Sequence, residues 1–200
     1  MEGTQKCKMG HLFIVAAPTG GGKTTLVSNS LNTLQKNFPI ERIVTYTTRK
    51  MRKNEENGRD YIFINREEFL KLQTTHYFFE VTIYNDNLYG SPRAFLDQMK
   101  QGKSFIVITD RAGITSYKKL YDQAICIWIT PPSLEILATR LKNRCSETEE
   151  QLQRRLALAA KEIKAEKETP LCTYEIINSD INEATNELIE IISRSLDAKE

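Results

Sequence analysis

The sequence predicts an α/β fold, a parallel sheet covered by helices on both faces with a phosphate-binding loop at its head. Three observations carry the prediction. First, the runs 12–16, 104–109 and 124–129 are apolar without polar alternation, as strands buried on both faces require. Second, helical segments with apolar residues three and four apart separate them, so strands and helices alternate. Third, the first apolar run leads into Ala17, Pro18, Thr19, Gly20, Gly21, Gly22, Lys23, Thr24 and Thr25, a glycine-rich turn that opens a helix. Right-handed crossovers would wind the helices onto both faces of such a sheet.

In the glycine-rich stretch, the glycines let backbone N–H groups converge on one point. The helix start adds unpaired donors and the positive end of its dipole. Lys23 is placed to reach outer phosphates, and the Thr24 hydroxyl to meet a Mg²⁺ ion. Ala17 stands where the common loop pattern has its first glycine. Leu26, Val27, Leu31 and Leu34 give the following helix one apolar face.

Phe38 and Pro39 punctuate the chain, and a second strand is predicted near Arg42, Ile43 and Val44. From Thr45 to Asn57 the chain turns polar and basic. Such a run is usually a solvated loop, but this one leaves from a strand end, where an open parallel sheet binds its ligands. Arg49 and Arg52 are therefore candidates for a second phosphate. A strand at 61–64, a helix from Arg66 to Leu72 and a strand at 78–84 follow. The turn signal Asn85, Asp86, Asn87 then leads to Leu88, Tyr89, Gly90 and Ser91. Residues 45–91 thus read as a small inserted α+β lobe.

Pro92 suits the first turn of a helix running to about Gln101, with Gly102 ending it. The run 104–109 places Asp110 at a strand end, and a helix is predicted around 114–121. After the strand 124–129, Ser133 caps a helix carrying Arg140 and Arg144. Thr148 starts a long charged helix with Arg154 and Arg155 in its early part, which Pro170 stops. A last strand at 174–178 and an amphipathic helix through Leu188, Ile192 and Leu196 close the chain.

The chain has 200 residues, enough for one sizeable core, and a net charge of +2. That balance gives no overall reason to expect a nucleic-acid or membrane partner. No apolar run is long enough to span a bilayer, and the first six residues lack the apolar centre of a secretory signal. Cys7, Cys126, Cys145 and Cys172 are scattered, without metal-ligand spacing, and His11 and His76 do not complete one. Reduced thiols in a cytoplasmic setting fit best.

Three clusters need a common explanation: the glycine-rich loop, the arginines of the inserted lobe, and the arginines around Cys145. Phosphoryl transfer between two nucleotides supplies one. It needs two facing phosphate sites and cations to balance the charge on the transferring oxygens. Arginine suits both tasks because its planar fork binds phosphate bidentately. Water must be excluded, which predicts lobes that close.

The sequence resembles the guanylate kinases over nearly its whole length, from His11 to about Leu196. The run 17–24 resembles that family's phosphate loop, which opens with Ala or Gly. Thr47, Thr48, Arg49 and Arg52 followed by Gly58 and Tyr61 resemble its GMP-phosphate segment. Glu80, the run Tyr89-Gly90-Ser91, the lid stretch from Arg140 through Arg144 to Arg155, and Asn178 also find counterparts.

The resemblance implies a P-loop kinase core (10–44, 92–139 and 170–200), a GMP-binding lobe (45–91) and a helical lid (140–169). It implies transfer of the ATP γ-phosphoryl group to GMP or dGMP with Mg²⁺, in purine nucleotide metabolism. It further implies a monomer or homodimer in the cytoplasm with no nucleic-acid or membrane partner. Thr45, Arg49, Arg52, Tyr61 and Tyr89 would hold the GMP phosphate. Glu80, Ser91 and Asp110, with Gly90 beside them, would read guanine. Lys23, Arg49, Arg144 and Arg155 would serve the transferring group. Residues 17–25, Arg140 and Asn178 would hold ATP, and Thr24 the metal. Two positions depart from the family pattern: Ile108 stands for the first Asp of its D-x-D, and Ala112 for a Gln, while Arg111 adds a charge.

Two rivals remain at this level. One is a kinase for another monophosphate or a ribose bisphosphate on the same scaffold, against which Glu80, Ser91 and Asp110 argue. The other is a peptide-binding module that has lost catalysis, against which Lys23, the glycine loop and the lid arginines argue.

Overall fold

The computed structural model describes residues 9–53, 55–84, 86–142 and 149–198. In chain order its elements begin with β1 (Leu12–Ala16), α1 (Lys23–Leu34), β2 (Ile40–Arg42), β3 (Tyr46–Thr47) and β4 (Ile62–Phe63). Then come α2 (Arg66–Thr74), β5 (Phe78–Tyr84), β6 (Asn87–Pro92), α3 (Phe95–Lys100) and β7 (Ser104–Thr109). The chain continues with α4 (Arg111–Leu120), β8 (Ile125–Thr130), α5 (Leu134–Lys142), α6 (Glu149–Glu168), β9 (Tyr174–Ile177) and α7 (Ile181–Asp197).

The main sheet has the order β2-β7-β1-β8-β9, and its pairs are parallel. Side chains alternate across β1. Phe13 and Val15 join Leu26, Leu31, Leu188 and Ile192 of α1 and α7 on one face. Leu12 and Ile14 join Phe95, Met99, Ile114 and Tyr117 of α3 and α4 on the other. Two apolar faces explain the uninterrupted apolar runs.

A second sheet, β4-β3-β6-β5, forms from residues 46–92. Its small core is Phe69, Phe78 and Leu88. A register shift in β5 between Phe78 and Glu80 gives Phe78 to this core. Phe79 faces the main core instead, its ring 5.2 Å from that of Phe95. The bulge thereby joins the two sheets. Gly90 lies under the same rings, since a Cβ there would come within 2.9 Å of Phe78 and Phe69. A small third cluster, Leu137, Leu141, Leu152 and Ala159, packs α5 against α6.

Local differences from the predicted elements have physical causes. Pro92 closes β6 rather than opening a helix, and α3 starts at Phe95; a strand end needs no ladder donor, so proline is tolerated there. The second strand lies at Ile40–Arg42, although Ile43 N–H still donates to Ile106 O at 2.8 Å. The basic run contains a short strand, β3, whose two residues pair with β4 and β6. Arg144, Cys145, Glu147, Thr148 and the turn residue Asn85 lie outside the described residues. No helix among the described residues is long and apolar enough to cross a membrane.

Candidate active site

One cleft opens at the carboxyl ends of β1 and β7, between the main sheet and the second sheet. Its floor is the glycine-rich loop, from Ala17 and Thr19 to Thr24. Gly20 and Gly22 have φ of 81° and 96°, a left-handed conformation that strains any residue with a Cβ. At Gly22 a Cβ would also lie 2.4 Å from Asn178 Nδ2. Asn178 donates to Gly21 O at 3.0 Å and so braces the loop from the end of β9. Lys23 curls back over the loop, donating to Ala17 O at 2.7 Å.

Around this loop several buried polar atoms have no hydrogen-bond partner among the described residues: Arg140 Nη1, Asn178 Oδ1 and Glu162 Oε2. Native structures rarely leave such atoms unpaired, so orphans clustered here fit a polar ligand. Arg140 donates its other terminal nitrogen to Asn178 O at 2.9 Å, which links the two residues expected on the ATP side. Pro18 and Thr25 belong to the loop and to α1 but do not line the cleft.

From α6, Arg155 donates Nη2 (2.7 Å) and Nε (3.2 Å) to the Thr19 hydroxyl. One face of α6 thus rests on the glycine-rich loop. Glu162, on the same face at i+7, accepts from the Thr19 backbone N–H and lies near the Lys23 charge. Burial lifts its carboxyl to about 7, with Asp110 adding to the rise and Lys23 opposing it.

The opposite wall is the second sheet. Alternation along β5 puts Glu80, Thr82 and Tyr84 toward the cleft, with Ser91 and Tyr89 across the ladder from the first two. Glu80 is 6% exposed, and burial raises its carboxyl to about 7, helped by nearby Asp110. Hydrogen bonds with Thr82 and Tyr117 oppose the rise. Tyr117 also donates to Ser91 Oγ, and Ser91 lies 3.4 Å from the Thr45 hydroxyl. Asp110 caps α4 by accepting from Gly113 N–H at 2.8 Å and still lines the cleft.

Arg49 grips Glu55 with both terminal nitrogens, at 2.9 and 2.8 Å, and its side chain is only 14% exposed. Its guanidinium lies 5.3 Å from the centre of the Tyr61 ring. Tyr61 packs edge-on to Tyr89, ring centres 6.0 Å apart, and its burial raises the phenol. Glu55 also accepts from Arg52 N–H at 2.8 Å, so one carboxylate arranges both arginines.

The cleft therefore brings together Lys23, Thr24, Thr45, Arg49, Arg52, Tyr61, Glu80, Tyr89, Ser91, Asp110 and Arg155. Gly90 is not among its lining residues but supports the aromatic core behind them. Arg144 lies outside the described residues. Sequence reasoning missed Glu55, Tyr84, Tyr117 and Glu162. For Glu162 a signal existed, since it repeats the face of Arg155 two helical turns on.

The model of the guanylate kinase family matches residues 9–195. A guanylate kinase of Protochlamydia amoebophila is 41% identical over 190 residues, covering 94% of this chain and 92% of that one. One of Rubrobacter xylanophilus is 36% identical over 188 residues, covering 94% and 95%. Among solved structures, the crystal structure of guanylate kinase from Anaplasma phagocytophilum superposes with a TM-score of 0.73 at 28% identity, covering 96% of this chain and 89% of that chain.

Proposed function

We propose, from the premise that this chain belongs to the guanylate kinase family, that it moves the γ-phosphoryl group of ATP in line onto the phosphate of GMP, giving ADP and GDP. The observation that supports this most is one cleft carrying a main-chain phosphate cradle on one wall and Arg49, Arg52, Tyr61 and Glu80 on the other.

In this reading the loop amides and the helix dipole of α1 hold the ATP phosphates, and Lys23 leaves Ala17 O to follow the transferring group. Arg155 shifts from Thr19 to the charge that spreads over the equatorial oxygens, with Arg144 as its partner. Arg49, Arg52, Tyr61, Tyr89 and Thr45 hold the acceptor phosphate. Glu80, with Ser91 and Asp110, reads guanine through its N1–H and 2-amino donors, which adenine lacks. A buried carboxylate left without those donors makes the wrong base costly. Closure of 45–91 and 140–169 over the core of 10–44, 92–139 and 170–200 would exclude water.

Among the described residues no group of three or more His, Cys, Asp or Glu is arranged to hold a metal. Thr24 lines the cleft at the helix start, and the apolar Ile108 lines the same cleft. That donor set fits Mg²⁺ held chiefly by phosphate oxygens and water, with the Thr24 hydroxyl as the protein's contribution. Bound there, the ion would neutralise charge between the outer phosphates. A role in purine nucleotide metabolism follows from the reaction, and the scattered cysteines fit a cytoplasmic setting. The test is an acceptor panel with ATP and Mg²⁺: GMP and dGMP should support ADP formation while AMP, UMP and ribose bisphosphate do not. ADP formation indifferent to the acceptor would refute the reading.

A further inference from the structure

Arg111 is the first residue of α4, where the helix dipole disfavours a cation. Its side chain crosses instead to the C-terminal end of α6, the pole that attracts one. Nε donates to Glu166 Oε2 at 3.0 Å, and Nη2 donates to the carbonyls of Ala165 (3.2 Å) and Thr169 (2.6 Å). Thr169 O lies just past the helix end, and Ala165 O, which already accepts the Thr169 N–H at 2.9 Å, takes Arg111 as a further donor. The pair is shielded, with Arg111 22% and Glu166 7% exposed at the side chain. Glu166 Oε1 accepts from the N–H groups of Leu171 (2.8 Å) and Cys172 (2.9 Å), so the same carboxylate fixes the chain leaving the helix. The root of α6 is thereby tied to the end of β7, next to Asp110.

Arg155 and Glu166 share one face of α6, at i and i+11, about 16 Å apart along the axis. A tilt of about ten degrees at the root would carry Arg155 some 3 Å, roughly the length of its bond to Thr19. We propose that Arg111 is the pivot of α6, a positioning residue that, through Glu166 and the two carbonyls, sets Arg155 on the phosphate loop. The inference rests on the phosphoryl-transfer reading for what Arg155 then does.

The test is a cycle of Arg111→Met, Arg155→Ala and the double variant, with Glu166→Gln replacing Arg111→Met should the latter fail to fold. Arg111→Met should lower kcat about tenfold and move KM for GMP less than about twofold. Arg155→Ala should cost much less in the Arg111→Met background than alone, because its guanidinium is already misplaced. Amide exchange over residues 160–169, followed without nucleotide, should quicken in Arg111→Met. Full additivity with unchanged exchange would overturn the pivot. Quickened exchange in a protein whose wild type never phosphorylates GMP would retain the pivot and refute the reading of the reaction.

Discussion

The two walls of the cleft, each proposed to hold a phosphate, present their polar groups in opposite ways. On the loop wall the donors are main-chain amides, fixed by a turn whose left-handed backbone at Gly20 and Gly22 favours glycine. That wall rests on a sheet buried on both faces, and Asn178 braces it from a neighbouring strand. On the other wall the polar groups are side chains, brought from Thr45 ahead of β3, the chain between β3 and β4, β5 and β6 onto a small core of Phe69, Phe78 and Leu88. Here Arg49 is already occupied by Glu55. The first wall is preorganised by backbone geometry and the second by a counter-ion. In the proposed reading a phosphate arriving at the second wall must rearrange the Arg49–Glu55 pair, whereas the first wall offers amides held in a fixed turn, one of which, the Thr19 N–H, already donates to Glu162.

This contrast separates the effects of substitutions. The largest belongs to Lys23, whose ammonium lies over the loop wall against Ala17 O. Lys23→Ala should lower kcat at least about a hundredfold while GMP affinity, followed by titration, stays nearly constant. An equal loss of GMP affinity would place Lys23 on both walls and erase the distinction. Next is Arg49→Ala, which should raise KM for GMP on the order of thirtyfold, the scale of charge-assisted hydrogen bonds, and leave KM for ATP within about twofold. Steady-state kinetics with each nucleotide varied would show it.

Glu80→Gln should weaken GMP use about tenfold, since an amide offers one acceptor where guanine presents two donors. ATP use should be unaffected. The smallest effect sharpens the same point through pH. Burial holds the Glu80 carboxyl at about 7. In the proposed reading guanine donors pair with its ionised form, so binding GMP would require a proton to leave whenever the pH is below that value. Affinity should therefore fall as pH drops, by about threefold between pH 7.5 and 6.5 in calorimetry without ATP. The Glu80→Gln variant should lose most of this dependence. The Glu162 carboxyl also sits at about 7, but it faces the loop wall and should not contribute to GMP binding alone.

The same contrast explains what could be read from the chain. The loop wall is a contiguous motif following an apolar strand, so Gly20, Gly22 and Lys23 announce themselves. The central strands of the main sheet, β1, β7 and β8, were equally legible, because strands covered on both faces are plain apolar runs. The second sheet was only partly legible: β5 coincides with the strand expected at 78–84 and β4 lies within that at 61–64. β3 has two residues and no periodicity to detect, and Pro92 has the same sequence context at a strand end as at a helix start. Glu55 and Tyr117 act only through tertiary contacts, with Arg49 and Ser91 respectively, that no local spacing encodes. Resemblance to the guanylate kinases supplied Tyr61, Glu80 and Tyr89, which alone read as aromatic core and an edge-strand carboxylate.

The most direct test of the two-walled cleft is the stereochemical course at the transferred phosphorus, followed with ATP made chiral at its γ-phosphate. Two phosphates held face to face across one cleft predict a single displacement and inversion of configuration in the GDP formed. Retention would mean that the group stops on the protein between donor and acceptor, and would contradict the account.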